Sequence, residues 1–270
     1  MSPAHQDLRP DLPGAGPTPL RLYGDLHRAS AGVALHFHAG AFTAGTLDDG
    51  APAARALQAA GLVVVSVDYP LAPEHPFPAA AEAGHAALHW VARRLRTPVP
   101  LLVAGEEAGA NLAAATALMA RDRGGPALSA QILVAPMLDA CLGTASQRAA
   151  GQGRADCRGA RGWRAYLGRP GDAQHPYACP SAALRLACLP RSLIVTAGDD
   201  PMRDEALAFA ARLVASGVEA VFAELDMPTG WPASCCADPP CSAWATALSA
   251  QVARFLGQPA HARPPVPTAT

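Results

Sequence analysis

The sequence predicts an α/β protein with a mostly parallel sheet and helices on both faces. Short apolar runs alternate with amphipathic helical patterns along most of the 270 residues, as in chains whose parallel strands are joined by crossover helices. The segment LVVVSVDY at 62–69 is apolar and rich in β-branched residues, which is typical of a strand covered on both faces. Half of the residues are hydrophobic, which is ample for one buried core in a chain of this size.

The individual elements follow from the same patterns, taken in chain order. Apolar runs predict strands at 33–37, 62–69, 100–105, 130–138, 192–198 and 219–225. Helical patterns predict helices at 51–61, 78–95, 110–123, 204–217 and 241–257. Pro78 favours a helix start and Gly61 favours a helix end, because proline suits the first helical turn and glycine the position after the last.

Three segments fall outside this alternation. Residues 1–19 are polar and proline-rich, and we expect a flexible N-terminal segment. Residues 257–270 are proline-rich and are expected to be a disordered tail. Residues 140–178 are rich in glycine and arginine and too long for a plain connection, so they predict a lid or binding insertion. The sequence thus predicts one domain at 20–256 with an insertion at about 140–178.

Charge and composition exclude several classes of partner. A net charge of −1 and a pI near 6.7 give no bias towards polyanions, so nucleic acid is not an expected partner. No apolar run reaches about 18 residues, so no membrane span is expected. The N-terminal stretch lacks the apolar core of a signal peptide, which favours a cytoplasmic location.

The seven cysteines are odd in number and form no C-x-x-C pair, so free thiols are more probable than a disulfide framework. Cys235, Cys236 and Cys241 form a cluster without metal-ligand spacing or nearby histidines. No metal and no cofactor are therefore expected, and the role of this cluster stays open.

Five ordered motifs carry a resemblance to a known family. They are HFHAGAFTAGTLDD at 36–49, SVDYPLAPEHPFP at 66–78, GEEAGANLA at 105–113, AGDDPMRDE at 197–205 and DMPTGW at 226–231. In this order they resemble the oxyanion segment, the D-Y-x-L-A-P-E segment, the G-D-S-A-G turn, the D-P-L-R-D-E acid segment and the H-G-F turn of the hormone-sensitive-lipase branch of α/β-hydrolases. The resemblance implies an α/β-hydrolase fold, with a reduced cap because few residues precede the first motif.

The resemblance also implies positions for the catalytic groups. The nucleophile position holds Glu107 instead of serine, the acid position holds Asp200, and the histidine position holds Thr229. Gly105 and Gly109 meet the need of a strained strand-to-helix turn for small neighbours.

The oxyanion pocket is implied at four positions near this turn. Ala39 and Gly40 take the places of the two glycines whose backbone N–H groups are the family's donors, and Ala108 follows the nucleophile position. We interpret His38 as a structural residue that holds the loop in place. The histidines His36, His85 and His89 are interpreted as packing or surface residues.

Three functions remain open at this level. The first is a non-catalytic pseudo-hydrolase that binds a small ligand, such as an ester, acid or amine, or a partner protein, because nucleophile and base are both missing. The second is acid–base chemistry by a Glu107–Asp200 carboxylate pair. The third is residual ester hydrolysis through another nucleophile, for which the candidates are Ser146, Ser181, Ser234, Cys235 and Cys236. We also expect Glu107, Asp200 and Thr229 to converge at one pocket, roofed partly by the 140–178 insertion and floored by the 38–42 loop, because each lies in a turn after a different strand and such sheets bring these turns to one edge.

Overall fold

The computed structural model describes residues 5–29, 31–95, 98–151, 157–231 and 242–258. The strands are β1 Gln6–Leu8, β2 Asp11–Leu12, β3 Gly16–Pro17, β4 Leu20–Tyr23, β5 Val33–Phe37, β6 Val63–Val67, β7 Leu101–Glu106, β8 Ala130–Val134, β9 Arg191–Ala197 and β10 Ala220–Leu225. The helices are α1 Ala51–Ala59, α2 Ala79–Ala92, α3 Ala108–Asp122, α4 Ala145–Ala149, α5 Arg158–Tyr166, α6 Arg203–Ala215 and α7 Ser242–Gly257. Short 3-10 turns occupy Leu26–Arg28, Pro170–Gln174 and Pro180–Ala182.

The main sheet has eight strands in the order β1-β4-β6-β5-β7-β8-β9-β10. Every pair from β6 to β10 is parallel, whereas β4 runs antiparallel to both β1 and β6. This confirms the predicted mostly parallel sheet. β7 lies inside the sheet, where Gly105 pairs with Phe37 of β5 and Leu133 of β8. Whatever follows β7 therefore emerges near the middle of the carboxyl edge, where ligand sites of such sheets lie.

Alternating side chains of the strands build one core on each face of the sheet, as two-sided burial requires. Leu88 of α2 and Phe209 of α6 belong to the core on one face, together with α3. Leu57 of α1 and Trp244 of α7 belong to the core on the other face. Helices thus cover both faces, as the sequence predicts.

The expectation of a flexible segment at 1–19 is wrong for residues 5–19. β1 pairs with β4, β2 and β3 form a hairpin, and Leu12 is only 1% exposed. Arg21 of β4 holds β1 through two hydrogen bonds to Asp7, with N–O distances of 2.7 and 3.0 Å, and these lower the pKa of Asp7. A short polar edge strand fixed by an ion pair has no hydrophobic pattern, which is why sequence periodicity does not show it.

Two predicted elements are shorter than expected. The strand predicted at 130–138 ends at Val134, because Ala135 takes a positive φ of 45° and its N–H donates to Val195. The helix predicted at 78–95 ends at Ala92. Most of the predicted tail, from residue 259 onwards, lies outside the described residues, as do Cys235, Cys236 and Cys241.

Close backbone contact between α3 and β5 leaves no room for a side chain at Gly109. A Cβ there would overlap the carbonyl oxygen of Phe37, and a Cβ on Gly105 would overlap that of Gly109. We expect Gly109→Ala to lower the free energy of unfolding by about 3 kcal/mol, because the helix must move away from the sheet. Gly171→Ala, where a Cβ meets nothing within 4 Å, is the matched control and should change stability by less than about 0.5 kcal/mol. Equal denaturation midpoints for the two variants would contradict this packing.

Candidate active site

Glu107 lies on the turn between β7 and α3 in a strained backbone conformation, with φ 54° and ψ −115°. Its N–H donates to the carbonyl of Val134, and its carbonyl accepts from Asn111 and Met137, so the strained turn is held on both sides. Positive φ at a non-glycine residue costs about 1–3 kcal/mol and persists only where the surroundings enforce it. The backbone is thus that of a nucleophile elbow with a glutamate at its centre.

The side chain of Glu107 turns back onto the 38–42 loop. Its Oε2 accepts hydrogen bonds from the N–H groups of Gly40, at 2.7 Å, and Ala41, at 2.9 Å. The residue is 2% exposed, and Nη2 of Arg158 lies 3.8 Å from the same oxygen. Two converging backbone donors are the arrangement that binds an oxyanion in acyl transfer. Here an internal carboxylate occupies them.

The donor pair is shifted by one residue from the sequence expectation, which placed it at Ala39 and Gly40. Positive φ angles at Ala41 and Phe42 turn the loop so that Gly40 and Ala41 aim their N–H groups at Glu107. Ala39 instead accepts through its carbonyl from Nδ1 of His38. Ala108 begins α3 directly after Glu107 and is fully buried.

His38 anchors the loop, as interpreted from the sequence. Its ring stacks on Tyr69 with centroids 4.2 Å apart, and the Tyr69 hydroxyl donates to the His38 carbonyl at 2.9 Å. Nδ1–H donates to the Ala39 carbonyl at 2.7 Å, and burial lowers the pKa of the ring. The imidazole therefore stays neutral and holds the chain that carries the two donors.

Asp200 lies in the turn after β9 and keeps one oxygen free of hydrogen bonds. Its Oδ1 accepts from the N–H of Met202 at 2.9 Å, while its buried Oδ2 has no hydrogen-bond partner among the described residues. Burial is the largest cause that raises the pKa of Asp200; the Met202 hydrogen bond lowers it, the charges of Asp199 and Glu107 raise it, and the result is about 7. In the family pattern this oxygen would face the imidazole that Thr229 replaces.

Thr229 is held by Asp199 and not by Asp200. Its Oγ1 donates to Oδ1 of Asp199 at 3.0 Å, its N–H donates to Oδ2 at 2.8 Å, and the N–H of Gly230 donates to the same oxygen. Burial opposes ionisation of Asp199, yet the hydrogen bonds from Gly230 and Thr229 lower its pKa overall. Sequence reasoning missed this role of Asp199, although the neighbouring aspartates at 199 and 200 were a visible signal.

The three implied catalytic positions lie at the same edge of the sheet, because Glu107, Asp200 and Thr229 follow the carboxyl ends of the parallel strands β7, β9 and β10. The charge of Glu107 acts on Asp200, and Thr229 is bonded to the residue beside Asp200. Their exposed fractions are 2%, 2% and 5%, so the centre of the site is closed instead of open to substrate.

The 140–178 insertion covers this region. The rings of Trp163 and Tyr166 in α5 pack on Phe42, with centroids 5.0 and 3.9 Å away. Gly162 lies so close to Ala41 that a Cβ would overlap its carbonyl oxygen. Arg158, at the start of the same helix, has a side chain 42% exposed and reaches from the surface to Glu107. In the described part of the insertion, α5 therefore covers the 41–42 loop, and the Arg158 guanidinium lies between Glu107 and the surface.

His36 belongs to a polar network that the sequence did not predict. Its Nδ1 bonds to Ser66 Oγ at 2.8 Å and its Nε2 to Glu106 Oε2 at 2.7 Å, linking β5, β6 and β7. All three residues are at most 2% exposed, so Ser66 is not an accessible nucleophile. Of the two interpretations of His36, burial excludes the surface residue and agrees with packing, and the ring is in addition hydrogen-bonded at both nitrogens.

The other nucleophile candidates lie elsewhere or outside the described residues. Ser146 Oγ donates to the carbonyl of Pro201 at 2.9 Å, and the carbonyl of Ser181 accepts from Arg212. Neither lies on a strained strand-to-helix turn. Ser234, Cys235 and Cys236 fall outside the described residues.

Comparison with known proteins agrees with the fold. Residues 34–228 match the family model described as alpha/beta hydrolase fold, and the chain belongs to this family, in its hormone-sensitive-lipase esterase branch. It is similar to the esterase LipI of Mycobacterium tuberculosis, with 38% identity over 80% of this chain and 72% of the relative. The solved carboxylesterase EstE1 from a metagenomic library superposes with a TM-score of 0.80 and 33% identity, covering 94% of this chain and 90% of that one.

A receptor is among the relatives as well. The gibberellin receptor GID1A of Arabidopsis thaliana is 33% identical over 73% of this chain, which spans 61% of the receptor. Of the described helices, none is long and apolar enough to cross a membrane. The resemblance and the fold predicted from the five motifs are confirmed.

The Glu107 carboxylate should stabilise the loop it occupies. Glu107→Ala leaves two buried N–H groups without their acceptor, and we expect the free energy of unfolding to fall by about 2 kcal/mol. Glu107→Gln keeps an acceptor oxygen and should cost about half as much. Glu74→Ala removes an exposed carboxylate and is the control. Urea denaturation measures all three, and a Glu107→Ala variant as stable as the parent would refute the internal hydrogen bonds.

Asp200→Asn should flatten the pH dependence of stability. The folded chain holds a proton on Asp200 up to about pH 7, whereas an unfolded aspartate ionises near about pH 4. Between these values the unfolded state binds fewer protons, so the free energy of unfolding falls as pH rises, by up to about 1.4 kcal/mol per pH unit. Burial also raises the pKa of Glu205. The variant therefore keeps the part of the fall in the free energy of unfolding with rising pH that Glu205 causes. Denaturation at several pH values measures both slopes, and equal slopes would contradict the raised pKa of Asp200.

Proposed function

We propose that the chain is a non-catalytic member of its esterase family that binds a small ligand or a partner at the roofed edge of the sheet. The observation that carries this proposal is the Glu107 carboxylate on the N–H groups of Gly40 and Ala41. An ester carbonyl must place its developing negative charge between these donors. The Glu107 carboxylate already occupies these donors, and its negative charge repels the charge that develops on an ester carbonyl oxygen.

The remaining groups support the same conclusion. Threonine at 229 cannot move a proton near neutral pH as histidine does, and its hydroxyl is already bonded to Asp199. A carboxylate bonded to two donors beside Arg158 is a weakened nucleophile, because those contacts stabilise its charge. Loss of nucleophile and base together removes several orders of magnitude of rate in triad enzymes.

Binding without hydrolysis is a use that this scaffold supports. A relative named as a gibberellin receptor is about as similar to this chain as several named esterases, so family membership does not by itself assign ester hydrolysis. The exposed guanidinium of Arg158 at the mouth favours an acidic ligand over an amine. Free thiols at Cys141, Cys157 and Cys179 suit a reducing compartment, and we propose the cytoplasm.

A second candidate function is acid–base chemistry by Glu107 and Asp200. The observation in its favour is the raised pKa of Asp200, at about 7, together with its buried and unbonded Oδ2. An acid that titrates near neutral pH is suited to proton transfer. The closed geometry around Glu107 makes this the weaker candidate, because a substrate must first displace a carboxylate that two N–H groups hold.

Restoring the missing groups tests the proposal. Glu107→Ser frees the donor pair but has no base, and Thr229→His supplies a base but leaves the donors occupied. Each single variant should therefore hydrolyse p-nitrophenyl acetate at the buffer rate, as the parent should. The double variant should exceed either single variant by about tenfold or more, because triad residues act as a unit.

Adding Asp200→Asn to the double variant is the control and should remove most of the gain, since the imidazole then loses the carboxylate that orients it. Parent turnover well above the buffer rate would overturn the non-catalytic assignment. A folded double variant without any gain would indicate a site rebuilt for other chemistry and would favour the carboxylate pair.

A further inference from the structure

Two histidines on α2 lie far from the chemistry described above. His85 and His89 are four residues apart and therefore share one face of the helix. Their rings meet edge to face, with centroids 4.7 Å apart and planes at 73°. Two histidines at this spacing on one helical face are the arrangement that metal-binding helices use.

The two Nε2 atoms both lie beside Gly125, in the loop after α3. A Cβ built on Gly125 would lie 3.4 Å from Nε2 of His85 and 3.4 Å from Nε2 of His89. Both nitrogens therefore approach the same backbone position. Nε2 of His85 is buried and has no hydrogen-bond partner among the described residues. A buried nitrogen without a partner is uncommon and calls for a ligand or an ion.

The histidines also border a cavity of about 320 Å³. Its other walls include Glu82, Arg93 and the Pro13–Gly14 turn of the N-terminal hairpin. This volume admits an ion with several bound waters. None of these lining residues belongs to the Glu107 site, so the cavity is a separate feature of the molecule.

We propose that His85 and His89 bind one divalent transition-metal ion of the Zn²⁺, Ni²⁺ and Cu²⁺ class through their Nε2 atoms, with water completing the coordination. Imidazole is a preferred ligand of these ions. No group of three or more histidine, cysteine or acidic side chains in the described part of the chain is placed to hold a metal. The proposed site thus has two protein ligands.

The electrostatics around the pair are compatible with a cation. Burial lowers the pKa of His85, and the neighbouring His89 and Arg123 lower it further, so the ring is neutral and able to coordinate at pH 7. Glu82 accepts two hydrogen bonds from Arg123, at 2.7 and 2.8 Å, so the charges of these two side chains are paired with each other.

The test is a Zn²⁺ titration of the ¹⁵N-labelled full chain, followed through the imidazole nitrogens in long-range ¹H–¹⁵N spectra. We expect the Nε2 signals of His85 and His89 to shift together and to saturate at one equivalent, while the exposed His27 stays unchanged. Thiols that bind zinc elsewhere do not produce this paired shift. Unmoved signals for both histidines would overturn the proposal.

Two variants complete the experiment. In His89→Gln, the His85 signal should require at least about tenfold more Zn²⁺ to shift, because one coordinating nitrogen is gone. His27→Gln is the matched control and should titrate like the parent. Unchanged titration of His85 in His89→Gln would show independent binding and refute the shared site. If His89→Gln does not fold, the proposal is tested by the parent chain alone, through the joint shift of the two histidine signals and its saturation at one equivalent of Zn²⁺.

Discussion

The candidate site depends on the hydrogen bonds between one buried carboxylate and two buried N–H groups. A charge taken out of water needs donors, and backbone donors taken out of water need an acceptor. Glu107 and the Gly40–Ala41 segment satisfy each other at 2.7 and 2.9 Å. The close contact of α3 with the end of β5 at Gly109 makes this pairing possible, because it brings the elbow within reach of the loop. His38, Tyr69 and the roof helix α5 then hold the loop in place.

The acidic part of the site shows how one substitution redistributes charge around it. The hydroxyl of Thr229 donates to Asp199, and Oδ2 of Asp200 has no hydrogen-bond partner among the described residues. Asp199 is then stabilised as an anion by three hydrogen bonds, whereas Asp200 is left with one and retains a proton to about pH 7. Two adjacent aspartates thus have opposite ionisation behaviour because of where their partners lie.

The sequence predicts the structure correctly where a single residue type meets a local requirement of the backbone. The glycines at 105 and 109, the apolar strand at 62–69 and the alternation of elements all predict features that the structure shows. It fails where partners are distant in sequence. The ion pair that fixes β1, the Ser66–His36–Glu106 network and the direction of the Glu107 side chain each join segments that no local pattern connects.

The carboxylate in the oxyanion pocket also decides how this chain responds to reagents made for its relatives. Fluorophosphonates and boronic acids recognise serine hydrolases by a nucleophile and by donors that accept a tetrahedral anion. Here the donors already hold an anion supplied by Glu107, and the elbow has no hydroxyl. Under the proposed non-catalytic function, activity-based profiling of a proteome would pass over this chain even where it is abundant. Detecting it requires probes that report occupancy or heat stability instead of covalent labelling.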